Sequence, residues 1–125
     1  MKVVEVVAAV IKDKDKIFIT KRGYGEFMDM WEFPGGKIEQ GETREEALHR
    51  EIREELELEI ENLEFLTTVD YDYPNFHLTM HCFLCEISGG HLKLNAHNDV
   101  KWVKIDELKN ERWVPADVAV VEKLC

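Results

Sequence analysis

The segment from Gly35 to Leu58, GGKIEQGETREEALHREIREELEL, constrains the fold most, because it encodes one amphipathic helix and the loop that enters it. Thr43-Arg44-Glu45-Glu46 fits a capping box, in which the Thr43 hydroxyl and the Glu46 carboxylate satisfy the first free backbone N–H groups. The spacing predicts a helix from there to about Glu57. Leu48, Ile52 and Leu56 recur every four residues with Ala47 beside them, so one face is apolar and needs covering. Glu51, Glu54 and Glu55 stand at i, i+3 and i+4, which places three carboxylates together on another face. Like charges at that spacing repel by roughly some tenths of a kcal/mol per pair. A solvated acidic face is the ordinary outcome in a glutamate-rich chain. The alternative is a hard divalent cation, and an all-carboxylate set suits Mg²⁺ or Mn²⁺ better than Zn²⁺.

Around this helix the chain reads mostly as strands. Val3 to Ile11 is β-branched and fits a buried strand, Lys12 to Asp15 a polar turn, and Lys16 to Thr20 the returning strand of a hairpin. Lys21 to Met30 reads as a loop. Trp31-Glu32-Phe33 is short and extended, and Pro34-Gly35-Gly36 is expected to break it. Leu63 to Tyr73 and His77 to Ile87 fit two long strands around Pro74-Asn75, followed by a turn at Ser88-Gly89-Gly90. Val100 to Ile105 fits a short strand and Asp106 to Lys109 a short helix or turn. Pro115 suits the first turn of a last helix to about Leu124. The order strands, helix, strands, helix indicates an α+β domain, with helices packed on a mixed sheet. A chain of 125 residues matches one domain, here residues 1–125.

Charge narrows the function. Lys plus Arg is 16 against 26 for Asp plus Glu, a net charge of -10. That balance argues against a protein that coats a nucleic-acid polymer or binds an anionic membrane. An anionic substrate would have to be met by a metal ion or a local basic cluster. No apolar run approaches the roughly 20 residues of a membrane span. Glu5 interrupts Val3 to Ile11 and no small-residue cleavage site follows, so a secretory signal is not expected. Three cysteines make a disulfide framework unexpected, and a cytoplasmic setting is the default. Cys82 and Cys85 form a CxxC, but residues three apart on a strand face opposite ways, which disfavours a zinc or redox site. The histidines at 49, 77, 81, 91 and 97 are scattered and read as structural or surface residues. Trp31, Trp102 and Trp113 are expected in the core.

The spacing of Gly36, Glu42, Arg50, Glu51, Ile52, Glu54, Glu55 and Leu58 resembles the Nudix box, G-x5-E-x7-R-E-U-x-E-E-x-G-U, where U is aliphatic. Counting the six charged or glycine positions, a chance match is on the order of one in a million per start site. Glu57 stands where the box has the glycine that ends the helix in a left-handed residue, so an altered cap is expected with the carboxylates unaffected. WEFPGGKIEQGE, YPNFHLTM and WVPADVAVVEKL extend the likeness to the MutT branch of the family and to bacterial CTP-type pyrophosphohydrolases.

This resemblance implies an α/β/α sandwich, a Nudix-type fold with a mixed sheet between helices. It implies hydrolysis of a nucleoside triphosphate to the monophosphate and pyrophosphate, by a monomer or homodimer. The alternatives are an ADP-ribose or other nucleoside diphosphate hydrolase and a non-catalytic nucleotide sensor. Glu51, Glu54, Glu55 and the Gly35 carbonyl are the implied Mg²⁺ ligands, with Glu51 or Glu54 as the base. Arg50 is expected to pair with a box carboxylate, Glu42 for example, and to hold the loop on the helix more than to act in the chemistry. Arg22 matches a position where an arginine approaches phosphates or sugar; its plain reading is a surface charge. On physical grounds alone, Phe33, Tyr73 and Phe76 are candidates for stacking on a base, against the plain reading of core aromatics on strands. Asp117 falls where relatives read the base edge; its plain reading is favourable charge at a helix start. As a base reader it predicts that Asp117→Asn shifts nucleotide preference. Close relatives carry another glutamate where this chain has Ala96; His97, Asn98 or Asp99 is the candidate to reach the site instead, with water filling the position as the alternative.

Overall fold

The computed structural model describes all 125 residues, Met1–Cys125. Seven strands form one mixed sheet: β1 Lys2–Asp13, β2 Lys16–Arg22, β3 Trp31–Glu32, β4 Gly35–Lys37, β5 Leu58–Tyr73, β6 Phe76–Gly90 and β7 His97–Lys104. Helix α1 is Arg44–Leu56 and α2 is Val118–Leu124, with 3₁₀ turns at Ile105–Asn110 and Pro115–Asp117. The main path runs β3-β2-β1-β6-β5, with β4 on β1 and β7 on β2. Among the seven strands only β1 and β6 pair in parallel, and the other strand pairs are antiparallel.

Alternation along β1 divides the core. Val7, Ala9 and Ile11 pack with Ala47, Leu48, Ile52 and Leu56 of α1. Ala8 and Val10 face the other way, toward Trp113, Ala116, Val120 and Val121. The sheet is thus clasped between two helical layers, the α/β/α arrangement expected. The apolar stripe of α1 is fully buried as its spacing required, at roughly 1.5–3 kcal/mol per large side chain. Cys82 and Cys85 fall in the two different core layers, as their spacing on a strand dictates. No helix is long and apolar enough to cross a membrane.

The structure departs from the sequence reading in four places. Gly35-Gly36 does not end extended structure but forms β4, pairing with Val7 and Ala8 of β1. A Cβ on Gly35 would collide with the Val7 carbonyl, so glycine is what lets these strands approach. Ser88-Gly89-Gly90 is not a turn; it continues β6, paired with Leu58 and Glu59 of a β5 that starts earlier than expected. Trp102 is not in the core: it is 39% exposed, with its ring edge against Phe18 at 5.3 Å. Finally, the last helix opens with a 3₁₀ turn, and only Val118–Leu124 is α-helical.

The end of α1 shows what Glu57 does in place of glycine. Glu57 takes the left-handed conformation itself, at φ 55 and ψ 35. A non-glycine residue there costs roughly 1–2 kcal/mol. The segment after β6 holds that end. Lys93 N–H donates to the Leu56 carbonyl at 2.9 Å and Asn95 N–H to the Glu55 carbonyl at 3.0 Å. Asn95 Nδ2 donates to the Glu54 carbonyl at 2.8 Å and to Glu57 Oε2 at 3.0 Å. The carbonyls a helix leaves open at its C-terminus are therefore met by tertiary contacts.

Candidate active site

Capping fixes where α1 starts, and its register then fixes the acidic face. Thr43 Oγ1 accepts from Glu46 N–H at 3.1 Å, and Glu46 Oε1 accepts from Thr43 N–H at 2.8 Å, completing the expected box. Arg50 organises the face. Its Nε donates to Glu42 Oε2 at 2.7 Å, and its Nη2 to Glu42 Oε1 at 3.0 Å and to the Lys37 carbonyl at 2.9 Å. Its Nη1 bridges Glu51 at 3.0 Å and Glu54 at 3.2 Å. The guanidinium fork ties the loop before the helix, β4 and two box glutamates into one unit. The bond to Glu42 is the main reason its own pKa is raised. Gly36 belongs to the same unit, since a Cβ there would collide with the Glu51 carboxylate.

Burial pushes Glu51 above the ordinary carboxylate range, with Arg50 opposing and Glu54 adding to the rise. Glu55 is pushed further, up to about 8, first by burial, then by the charges of Glu51 and Glu32, with the Gly35 backbone opposing. Glu55 Oε1 is buried and has no hydrogen-bond partner. An unpartnered buried carboxylate oxygen, in a set of hard oxygen donors that repel one another, fits a divalent cation chemically. As the side chains now stand, no group of three His, Cys, Asp or Glu residues is close enough to hold an ion, and Arg50 supplies the positive charge between Glu51 and Glu54.

Beside this face opens a cavity of about 260 Å³ over the α2 side of the sheet. Arg22, Phe33, Gly35, Gly36, Glu55, Tyr73, Phe76 and Asp117 all line it. Eight residues singled out from the sequence thus meet at one cavity, and the other four, Glu42, Arg50, Glu51 and Glu54, form the adjoining acidic face. Glu55 joins the two. Phe33 is backed by Trp113, stacked at 4.9 Å, and Tyr73 stacks on Phe76 at 5.1 Å while its hydroxyl accepts the Ala116 N–H at 3.2 Å.

Asp117 stands at the start of α2, where the plain reading puts it, but it is 4% exposed and makes no side-chain cap there. Burial pushes its carboxyl well above the ordinary value, helped by Glu32 and opposed by Arg22 and the Phe33 backbone. Arg22 donates from Nε and Nη2 to Glu32 Oε1 at 3.1 and 2.7 Å. Burial works against the Glu32 charge, but the bonds from His97 and Arg22 outweigh it and hold the carboxyl below its ordinary range.

The sequence reading missed Glu32. The one signal was a charge inside the short apolar stretch Trp31-Glu32-Phe33. Of the residues near Ala96, His97 pairs with Glu32 at 3.1 Å, Asn98 Nδ2 donates to Asp29 at 2.9 Å, and Asp99 accepts the Val100 N–H at 2.8 Å. None of the three bonds a glutamate of α1.

A mixed sheet between two helical layers, with an acidic helix opening onto an aromatic cavity, defines the class of domain. The model of the NUDIX domain matches residues 1–124, and the chain belongs to the NUDIX family. It is 32% identical over 126 residues to the 8-oxo-dGTP diphosphatase of Escherichia coli (strain K12), covering 99% of this chain and 98% of that one. It is also 32% identical, over 123 residues, to the CTP pyrophosphohydrolase of the same organism, covering 98% and 91%. Among solved structures, the MutT NUDIX hydrolase from Burkholderia pseudomallei superposes with a TM-score of 0.89 at 27% identity, over 100% of both chains.

Proposed function

We propose that this chain is a Mg²⁺-dependent nucleoside triphosphate pyrophosphohydrolase whose substrate is an oxidised dGTP or a (d)CTP. The observation that carries the reading is Glu55: it lies on the glutamate face of α1, lines the nucleoside-sized cavity, and keeps one buried oxygen unpartnered. The full-length likeness to relatives named for 8-oxo-dGTP and CTP supports it.

Glu51, Glu54, Glu55 and the Gly35 carbonyl would hold Mg²⁺, with Mn²⁺ a substitute. Once bound, the ion offsets charge developing on the polyphosphate and makes water more acidic. The chain supplies the rest. Glu51 or Glu54 takes the proton from the attacking water, whose oxygen adds to phosphorus. The bridging P–O bond breaks, leaving nucleoside monophosphate and pyrophosphate. Arg50 is a positioning residue that keeps Glu51 and Glu54 at the end of the β4 loop. Arg22 offers N–H groups to phosphate or ribose oxygens. Phe76 and Tyr73 form the aromatic wall for the base.

Asp117 reads the base edge. Its burial favours the neutral acid, which offers one acceptor and one donor together. That pair fits the N4–H and N3 of cytosine, or the N7–H and O6 of 8-oxoguanine. This changes the expectation for Asp117→Asn, because an amide also carries one donor and one acceptor.

The direct test is pyrophosphate release from 8-oxo-dGTP, dGTP, dCTP and CTP with and without Mg²⁺. The reading expects metal-dependent release, with 8-oxo-dGTP or a cytidine nucleotide preferred over dGTP. Tight nucleotide binding without any release would instead identify a sensor.

A further inference from the structure

We infer that His97 is a positioning residue that acts through Glu32 to aim Arg22 at the nucleotide. The inference rests on the nucleotide reading of the cavity and names a residue outside its lining.

Chain geometry brings the three groups together. β2 and β7 pair Arg22 opposite His97 after a bulge between Lys21 and Arg22. β2 and β3 pair Thr20 opposite Glu32, and Thr20 Oγ1 donates to the Glu32 carbonyl at 3.0 Å. Gly23 makes room for this crossing, since a Cβ there would press within 3.3 Å of the Ala96 carbonyl and the Asn98 nitrogen.

Both Glu32 oxygens are then assigned. Oε1 takes Nε and Nη2 of Arg22, and Oε2 takes Nε2 of His97. A carboxylate acceptor requires a proton on Nε2, so His97 donates to Glu32. His97 has no other use in the structure. Its side chain is 2% exposed, it does not line the cavity, and Nδ1 is buried without a partner. The ring's one polar contact is the carboxylate that holds Arg22.

This contact matters because Arg22 faces two acids, Glu32 and Asp117. With Oε2 anchored by His97, Glu32 presents Oε1 at a fixed angle and keeps the guanidinium. Two of its five N–H groups are spent, and the remainder have no acceptor in the protein. They are left for substrate oxygens, while Asp117 stays free for the base. Without the anchor, Glu32 can rotate and Arg22 can swing to Asp117, which blunts both contacts at once.

The test compares His97→Met, which keeps bulk and removes the donor, with His97→Gln, which returns an N–H near the Nε2 position. Pyrophosphate release is measured for each in the parent and Arg22→Met backgrounds. His97→Met is expected to raise KM about 5–20-fold with kcat within about threefold, and His97→Gln to recover most of the loss. In the Arg22→Met background His97→Met should change kcat/KM less than about twofold, because its route is already cut. A full, additive loss there, or a Gln variant no better than Met, overturns the inference. If His97→Met does not fold, ¹⁵N NMR of the parent decides. The His97 ring nitrogens should shift when a non-hydrolysable nucleotide binds, and not in Arg22→Met. Unchanged shifts in the parent overturn it. Absence of turnover in the parent would defeat the pyrophosphohydrolase reading separately, and the NMR titration would still decide on His97.

Discussion

The acidic face of α1 and the cavity beside it solve the same problem in different ways. Both crowd carboxyl groups together. On α1 the crowding is local, and one arginine spans it: Arg50 bonds Glu42, Glu51 and Glu54. In and behind the cavity wall the groups come from β2, β3, β7 and the turn before α2, and one arginine serves them. Arg22 and His97 both bond Glu32, and burial pushes the Asp117 carboxyl well above its ordinary value. Glu55 lies between and is served by neither, with an unpartnered oxygen and a pKa raised to about 8. Under the proposed function, chemistry falls to the helix, discrimination to the cavity, and the junction to Glu55.

The largest effects should come from the helix. Glu54 is mostly exposed, so Glu54→Gln should lower kcat by about 10²–10⁴-fold while the melting temperature stays within a few degrees. Full activity in that variant would remove the α1 face from the chemistry. Arg50→Lys keeps the charge but cannot reproduce the fork to Glu42 and the Lys37 carbonyl. A drop in kcat of roughly 10–100-fold is expected, read against an unchanged substrate ranking.

The junction should show itself in stability against pH. In the folded, metal-free chain Glu55 holds its proton up to about pH 8, whereas its ordinary value is 4.5. Between those values the folded state binds more protons than the unfolded state, so stability falls as pH rises. From pH 5 to pH 8 in EDTA the parent should lose roughly 2–4 kcal/mol through this group. Glu55→Gln should remove that part of the slope, leaving the parts due to Glu51 and Asp117, whose raised values act in the same direction. Mg²⁺ should restore stability at pH 8 in the parent and much less in the variant. Denaturant titrations at the two pH values measure all of this.

Cavity substitutions should change ranking more than rate. Asp117→Ala is expected to compress the preference among 8-oxo-dGTP, dGTP and dCTP by roughly 10–100-fold, while Asp117→Asn keeps the order. Relative kcat/KM across the panel checks both. If Asn erased the preference as thoroughly as Ala, the neutral acid would not be the reader.

The smallest expected effect concerns the helix end. Glu57→Gly should raise stability by roughly 0.5–1 kcal/mol, because relief of the left-handed residue exceeds the added freedom of the unfolded chain and the lost bond to Asn95. A calorimetric melt of the two proteins reads it.

These two regions also differ in how far the sequence revealed them. The α1 face was legible because helix periodicity and capping act within a few residues, and Thr43, Leu48, Ile52 and the three glutamates all fall where that spacing puts them. The cavity was legible only in part: resemblance carried over Arg22 and Asp117, and aromatic character alone pointed to Phe33, Tyr73 and Phe76. Glu32 stayed hidden because its partners lie 10 and 65 residues away, brought close by strand pairing rather than by any local pattern. Strand β4 was hidden for a different reason. Pro-Gly-Gly usually breaks a strand, but here the missing Cβ is what allows β4 to lie against Val7. Trp102 misled because an aromatic residue on a strand suits either face, and β7 turns this one outward.

The most direct test is anomalous diffraction at the manganese edge from crystals grown with Mn²⁺ and a non-hydrolysable nucleoside triphosphate. The account predicts manganese bound by Glu51, Glu54 and Glu55, phosphates passing Gly35-Gly36, and the base in the cavity beside Asp117. Manganese away from those carboxylates, or a nucleotide bound outside the cavity that Glu55 lines, would contradict it.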